Sequence, residues 1–189
     1  MTREEMARYI AQGLIETGIE GGYDAVSCST AGDYPSLGVS QWEGGRADDL
    51  LRMIPGGGNY IGREYSDIEE AGELDALSEL LDSPEGQEAQ LQKLSEDCLD
   101  YVDELLDVAG FDDPACIIYA GMWCPTSTYV VTKFVYHRLR RGVDMNDLEV
   151  CAETFRDEYA EAADCEEYAD GYANRAERTL EYVEGLGVE

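Results

Sequence analysis

The stretch "EGGYDAVSCSTAGDYPSLGVSQWEGGR", residues 20–46, is the least helical part of the chain. One acid opens it. Small and polar residues follow, then Gly38-Val39-Ser40-Gln41-Trp42 and finally Gly44-Gly45-Arg46. Before it, residues 2–19 read as a helix. Thr2 and Glu5 form a capping box, Met6, Ile10, Leu14 and Thr17 trace a 3.6-residue stripe, and Gly18, Gly21 and Gly22 end it. Glu20 therefore stands where a helix gives way to a polar loop. A helix C-terminus disfavours negative charge, and enclosure raises a carboxyl pKa in the same direction. Both effects suit a general acid at the wall of a cleft. Downstream, the backbone and amide groups of 38–41 and the Trp42 indole are the parts that hold a sugar ring.

After this loop the chain reads as helix upon helix. Arg46–Ile54 is a short one, stopped by "PGGGN" at 55–59. Ser66 with Glu69 caps another, with Ile68, Ala71, Leu74 and Leu77 on one face. Pro84 opens a long helix striped by Ala89, Leu91, Leu94, Cys98 and Val102. The helix that "FDDPA" starts is apolar nearly all round, which marks it as buried, and Pro125 ends it. Residues 128–141 form a helix closed by Gly142, Asp144 begins a short one, and 150–185 a long last one. No alternating strand pattern stands out. The expected class is all-α.

Composition narrows the function. With 189 residues and 44% hydrophobic content the chain can bury a core. No run of 18 apolar residues occurs, and "MTREEMARYI" has charge where a signal peptide needs an apolar region. The net charge is −29, with 13 basic residues of which Lys93 and Lys133 are the lysines. Such a surface repels nucleic acid and anionic membranes. It fits solubility in a salty environment, or a basic partner. The basic run Thr126–Arg141, with Lys133, Arg138, Arg140 and Arg141 and no acid, suits packing on the chain's own acidic helices or a partner surface. The six cysteines, 28, 98, 116, 124, 151 and 165, include no CxxC pair, and there is one histidine, so no zinc site and no cofactor are expected. Cys98, Cys116, Cys151 and Cys165 read as small core residues; the disulfide state stays open. A Cys28–His137 hydrolase is disfavoured, because no helix N-terminus follows Cys28 to lower its pKa.

The ordered set on this span resembles the lysozyme-like superfamily, in particular lytic transglycosylase and phage tail lysozyme-type catalytic domains. Glu20-Gly21-Gly22-Tyr23 stands where that family has E-S-G-F, Ala25-Val26-Ser27 matches its A-V-S segment, and Gly38–Trp42 stands where G-L-x-Q-W would. Gly45-Arg46 and Leu50-Leu51 continue the pattern. The resemblance covers roughly residues 5–52; Gly21 replaces the usual Ser and Val39 the usual Leu. It implies a single lysozyme-like domain over 1–189, with the catalytic motifs in 1–60 and a helical core and C-terminal helices in 61–189. It implies cleavage of the β-1,4 bond between N-acetylmuramic acid and N-acetylglucosamine, with Glu20 as general acid and Glu16, followed by Thr17-Gly18, as the alternative. Ser27, Tyr34, Gly38, Ser40, Gln41 and Trp42 would bind substrate. A two-carboxylate hydrolase needs a second acid, for which Asp24 and Asp33 are nearest; a lytic transglycosylase does not, and both remain open. The partner would be peptidoglycan glycan strands, and the setting a phage or prophage product, a larger phage or secreted assembly, or export by a non-signal route. The competing reading is a catalytically inactive lysozyme-like binding or structural module.

Overall fold

A computed structural model describes residues 1–163 and 165–188. Helix accounts for 64% of it and strand for 4%, so the chain is all-α in class. No helix among the described residues is long and apolar enough to cross a membrane. The chain divides into two compact units. One is formed by 1–19 together with 95–189, the other by 20–94.

In the first unit, α1 (Arg3–Glu16) begins with the expected capping box: Glu5 N–H donates to Thr2 Oγ1 at 3.1 Å and Thr2 N–H to Glu5 Oε2 at 2.7 Å. Its stripe of Met6, Ile10 and Leu14 is buried. It packs on α6 (Pro114–Gly121), which Asp113 caps by accepting from Cys116 N–H. Every residue from Ala115 to Gly121 is buried, as an apolar helix without a polar face requires. The two helices approach closely at Gly121, where a Cβ would come within 2.3 Å of Ile10 Cδ1. A larger residue there requires the Ile10 side chain to shift within a packed core.

α7 (Thr128–Arg140) starts at Ser127, whose hydroxyl accepts from Val130 N–H. α8 (Leu148–Glu161) starts at Asp147, which accepts from Val150 N–H; residues 144–147 are turns in place of the expected short helix. The expected single helix over 150–185 is two, α8 and α9 (Glu166–Gly185); residue 164 of that expectation lies outside the described residues. No Gly or Pro marks the break, and the physical reason is tertiary. Thirteen helical residues would separate Tyr159 from Tyr172 by roughly 20 Å. Folding back brings their rings to 5.4 Å, with Trp123 4.5 Å from Tyr159 and 6.3 Å from Tyr172. Arg175 lies over Trp123 at 4.5 Å and donates to the Met122 carbonyl at 2.6 Å. The break leaves Cys165 exposed at the start of α9, so it is not the core residue the pattern suggested, whereas Cys98, Cys116 and Cys151 are buried and Cys124 joins them. All six thiols are free.

In the second unit a small antiparallel sheet of order β1-β2-β3 stands where no strand was expected: β1 (Val26–Cys28), β2 (Pro35–Leu37) and β3 (Trp42–Glu43). The strands have three, three and two residues, too short for an alternation to show in the sequence. α2 (Gly44–Met53) follows at once and buries Ala47, Leu50 and Leu51. The expected helix at 66 is split by Gly72 into α3 (Tyr65–Glu70) and α4 (Leu74–Asp82). α5 (Pro84–Leu106) then runs to residue 94 within this unit and onward within the first. Gly86 N–H donates to Ser83 Oγ at its start.

Candidate functional site

The sheet organises the loop that the sequence singled out. Ser27 on β1 faces Ser36 on β2, so the two side chains share one face. Gln41, in the turn between β2 and β3, reaches back to both. Its Oε1 accepts from Ser27 Oγ at 3.3 Å and from Ser36 Oγ at 3.2 Å, and Ser36 Oγ also lies 3.2 Å from the Gln41 carbonyl. Gln41 adopts φ +51°, a left-handed conformation that this side-chain network holds in place. The cluster is graded in exposure: Ser36 is buried, Ser27 and Gln41 exposed, and Ser40 half-buried beside them.

Beneath the turn sits Gln90 of α5, with no exposed surface. Its Oε1 accepts from Val39 N–H at 3.0 Å, and its Nε2 donates to the carbonyls of Tyr23 at 3.1 Å and Leu81 at 2.9 Å. One amide thus ties together the loop after Glu20, the β2–β3 turn and the end of α4. Gly38 is fitted to it. It has φ +67°, and a Cβ there would lie 2.1 Å from Gln90 Oε1. Gly38 N–H donates to Ala25 O at 2.8 Å, extending the β1–β2 pairing by one bond.

Glu20 is placed through its neighbour. Gly21 N–H donates to Val39 O at 2.7 Å. That bond fixes the peptide after Glu20 against the same turn that carries Ser40 and Gln41. Glu20 itself is half-buried. The structure therefore joins Ser27, Ser36, Gly38 and Gln41 by hydrogen bonds across β1, β2 and the turn, with Ser40 in the same turn and Glu20 next to Gly21, which is bonded to it.

Other expected residues take different roles. Trp42 is 2% exposed and lies in the core of this unit, with Lys93 Nζ 5.9 Å from its ring centre. It has no open face on which a sugar could stack, which corrects its expected part in substrate binding. Tyr34 is half-buried and lines a separate depression of about 220 Å³ with Asp33, Pro35, Ala47 and Arg63. Glu16, the alternative acid, is an exposed residue in the last turn of α1, in the first unit. Asp33 is tied down: its oxygens accept from Ser66 N–H at 3.0 Å and Ser66 Oγ at 2.6 Å, and these bonds hold its carboxyl below the ordinary range. They anchor the 29–34 loop to the start of α3, which is why Ser66 does not cap that helix as expected. Asp24 is exposed and its carbonyl accepts from Ser78 Oγ. Cys28 Sγ leans on the Gly32 carbonyl at 3.8 Å, and His137 lies against Tyr136 on α7.

Ser36 and Gln90 were not singled out in the sequence. Ser36 lies inside the quoted stretch, but its role depends on strand register. Gln90 is 51 residues from the Val39 amide it serves. The one signal for it is a polar side chain between Ala89 and Leu91 in an apolar stripe. Among the described residues, no group of three or more His, Cys, Asp or Glu side chains is placed to hold a metal ion. No family model, no curated protein and no solved structure matches the chain.

Proposed function

We propose that the chain is a peptidoglycan-cleaving glycosidase in which Glu20 is the general acid, acting on the β-1,4 bond between N-acetylmuramic acid and N-acetylglucosamine. The observation that carries this reading is the bond from Gly21 N–H to Val39 O. It holds the residue after Glu20 against the turn bearing Ser40 and Gln41, and Gln41 gathers Ser27 and Ser36. In this reading the half-buried Glu20 protonates the leaving sugar oxygen while the hydroxyl and amide groups of the turn orient the ring. The sequence resemblance around Glu20-Gly21-Gly22, Ala25-Val26-Ser27 and Gly38–Trp42 supports the same choice.

Within this reading the one-acid route is favoured. Asp33 has its oxygens engaged by Ser66 and serves as a loop anchor. In the one-acid route Glu20 gives its proton to the leaving oxygen, the sugar's C6 hydroxyl closes on C1, and its proton returns to Glu20. The product is a 1,6-anhydro end. In the two-acid route water takes the place of that hydroxyl and a reducing end results. Mass spectrometry of muropeptides released by the intact chain from purified peptidoglycan distinguishes them. Anhydro ends are the expected product; reducing ends mean a hydrolase, and release of neither counts against the enzyme.

One observation favours a second reading, a lysozyme-like module that binds glycan without cleaving it. The burial of Trp42 removes the sugar-stacking platform that the resemblance implied, which favours a structural role for its indole over a catalytic cleft. In that case glycan strands bind the chain and remain intact.

A further inference from the structure

α7 is basic in a chain with 42 acids. Arg138, one of its cations, turns inward: it pairs with Glu158 on α8 and lies 5.3 Å from the Phe134 ring centre. This seats the helix, as packing on the chain's own acids would require. Lys133, Arg140 and Arg141 are exposed and, among the described residues, form no ion pair. Two of them are held by tyrosines one turn back. Lys133 Nζ is 5.4 Å from the Tyr129 ring centre and 3.4 Å from its hydroxyl. Arg140 is 5.7 Å from the Tyr136 ring centre and donates to its hydroxyl at 2.9 Å. Cations that lie on aromatic rings keep their charge on offer and are already ordered, which lowers the entropy cost of binding.

The same face is apolar. Tyr129 is 67% exposed, Val130 52% and Tyr136 40%, values at which a lone surface residue is ordinary but a cluster on one helix is not. Beside them lies a depression of about 400 Å³ lined by Tyr129, Val130, Phe134, Lys133 and Arg141, and by Glu158, whose carboxylate is paired with Arg138. The result is a mixed hollow in which Tyr129, Val130 and Phe134 supply apolar surface and Lys133 and Arg141 supply cations, with tyrosine and arginine among the residue types that carry binding energy at protein interfaces.

We infer that this face of α7 docks a short acidic peptide segment of another protein. Its carboxylates meet Lys133, Arg140 and Arg141, and an apolar side chain enters the hollow between Val130 and Phe134. Charge complementarity selects the acidic partner, and the net charge limits its size. A nucleic acid or other long polyanion would meet the repulsion of −29 charges beyond the patch, and so would a second copy of the chain. A short segment meets mainly the local field, because screening removes charges more than about 10 Å away at 0.1 M salt. The 13 residues of α7 span roughly 20 Å, which matches a peptide of about 12 residues in helical form.

The test titrates the full chain into a fluorescent peptide of about that length, with Glu on one face and Leu on the other, alongside the same peptide with Gln for Glu. Saturable binding of the acidic peptide is expected, weakening as salt rises. Lys133→Glu/Arg140→Glu/Arg141→Glu should weaken it at least tenfold and Tyr129→Ala several-fold. These side chains are exposed, and circular dichroism checks that each variant is folded. Absence of saturable binding, equal binding by the triple variant, or equal binding of the Gln peptide overturns the inference. So does tighter binding of polyglutamate or a single-stranded oligonucleotide that Tyr129→Ala leaves unchanged, which reassigns the face to an extended polyanion. Self-association in sedimentation that the triple variant abolishes reassigns it to a second copy and overturns it as well.

Discussion

The peptide that follows Glu20 is held against a turn built by Gly38 and Gln90. Gly38 supplies the left-handed turn and the space for Gln90; Gln90 supplies three hydrogen bonds to separated segments. Gly38→Ala puts a methyl group in a left-handed conformation and against Gln90 Oε1. The expected loss is about 2–4 kcal/mol of unfolding free energy, measured by urea titration. Gln90→Leu keeps the volume and strands the Val39 N–H and two carbonyls, each worth about 1–3 kcal/mol when left unsatisfied. A loss of roughly 3 kcal/mol or more is expected by the same measurement. A much smaller loss would mean that water replaces the amide and that the turn is not held as described. That α1 gives way to a loop before the Gly21-Gly22 pair was legible in the sequence, because a helix end followed by glycines is a local feature. Gln90 was not, because its meaning lies in contacts 51 residues away. Trp42 was misread for the same reason: an aromatic after Gln is equally good as a platform or as core, and only the packing decides.

At the scale of elements, helix signals with a local cause were readable and those with a tertiary cause were not. The Thr2–Glu5 box appears where expected, and the helices expected at "FDDPA" and over 128–141 start at side-chain caps, Asp113 and Ser127, because such caps act within four residues. The sheet was not read, since eight residues in three pieces carry no periodicity. The break between α8 and α9 has no punctuation and follows from aromatic packing. Asp33 gives the loop–α3 junction a pH signature. Its folded pKa is depressed by Ser66, so its contribution is present above the unfolded carboxylate pKa and is lost as pH falls through the folded value. The stability difference between wild type and Asp33→Ala should therefore be constant near neutral pH and shrink on acidification below about pH 4, as followed by urea midpoints. A difference that stays constant into strong acid would mean that Asp33 acts without its charge.

For the molecule as a whole the dominant fact is −29 charges on 189 residues. Self-repulsion destabilises each compact unit, and added salt screens it. Thermal unfolding should shift upward when NaCl is raised from low millimolar to several hundred millimolar. A midpoint that falls with salt would mean that ion pairs such as Arg63–Glu73 and Arg138–Glu158 outweigh the repulsion. The all-α class and the acidic character were readable from composition and stripes. The division at Ile19–Glu20 and Leu94–Ser95 was not, because the second boundary falls inside the continuous helix α5, where no linker marks it.

Whether Glu20 is the acid of a peptidoglycan-cleaving enzyme is decided by digesting purified peptidoglycan with wild type, Glu20→Gln and Glu16→Gln and reading the released muropeptides by mass spectrometry. Release is expected from wild type and Glu16→Gln, with a fall of at least about a hundredfold in Glu20→Gln, the size of a lost general acid. Release by Glu20→Gln at the wild-type rate, or none by folded wild type, would contradict that role for Glu20.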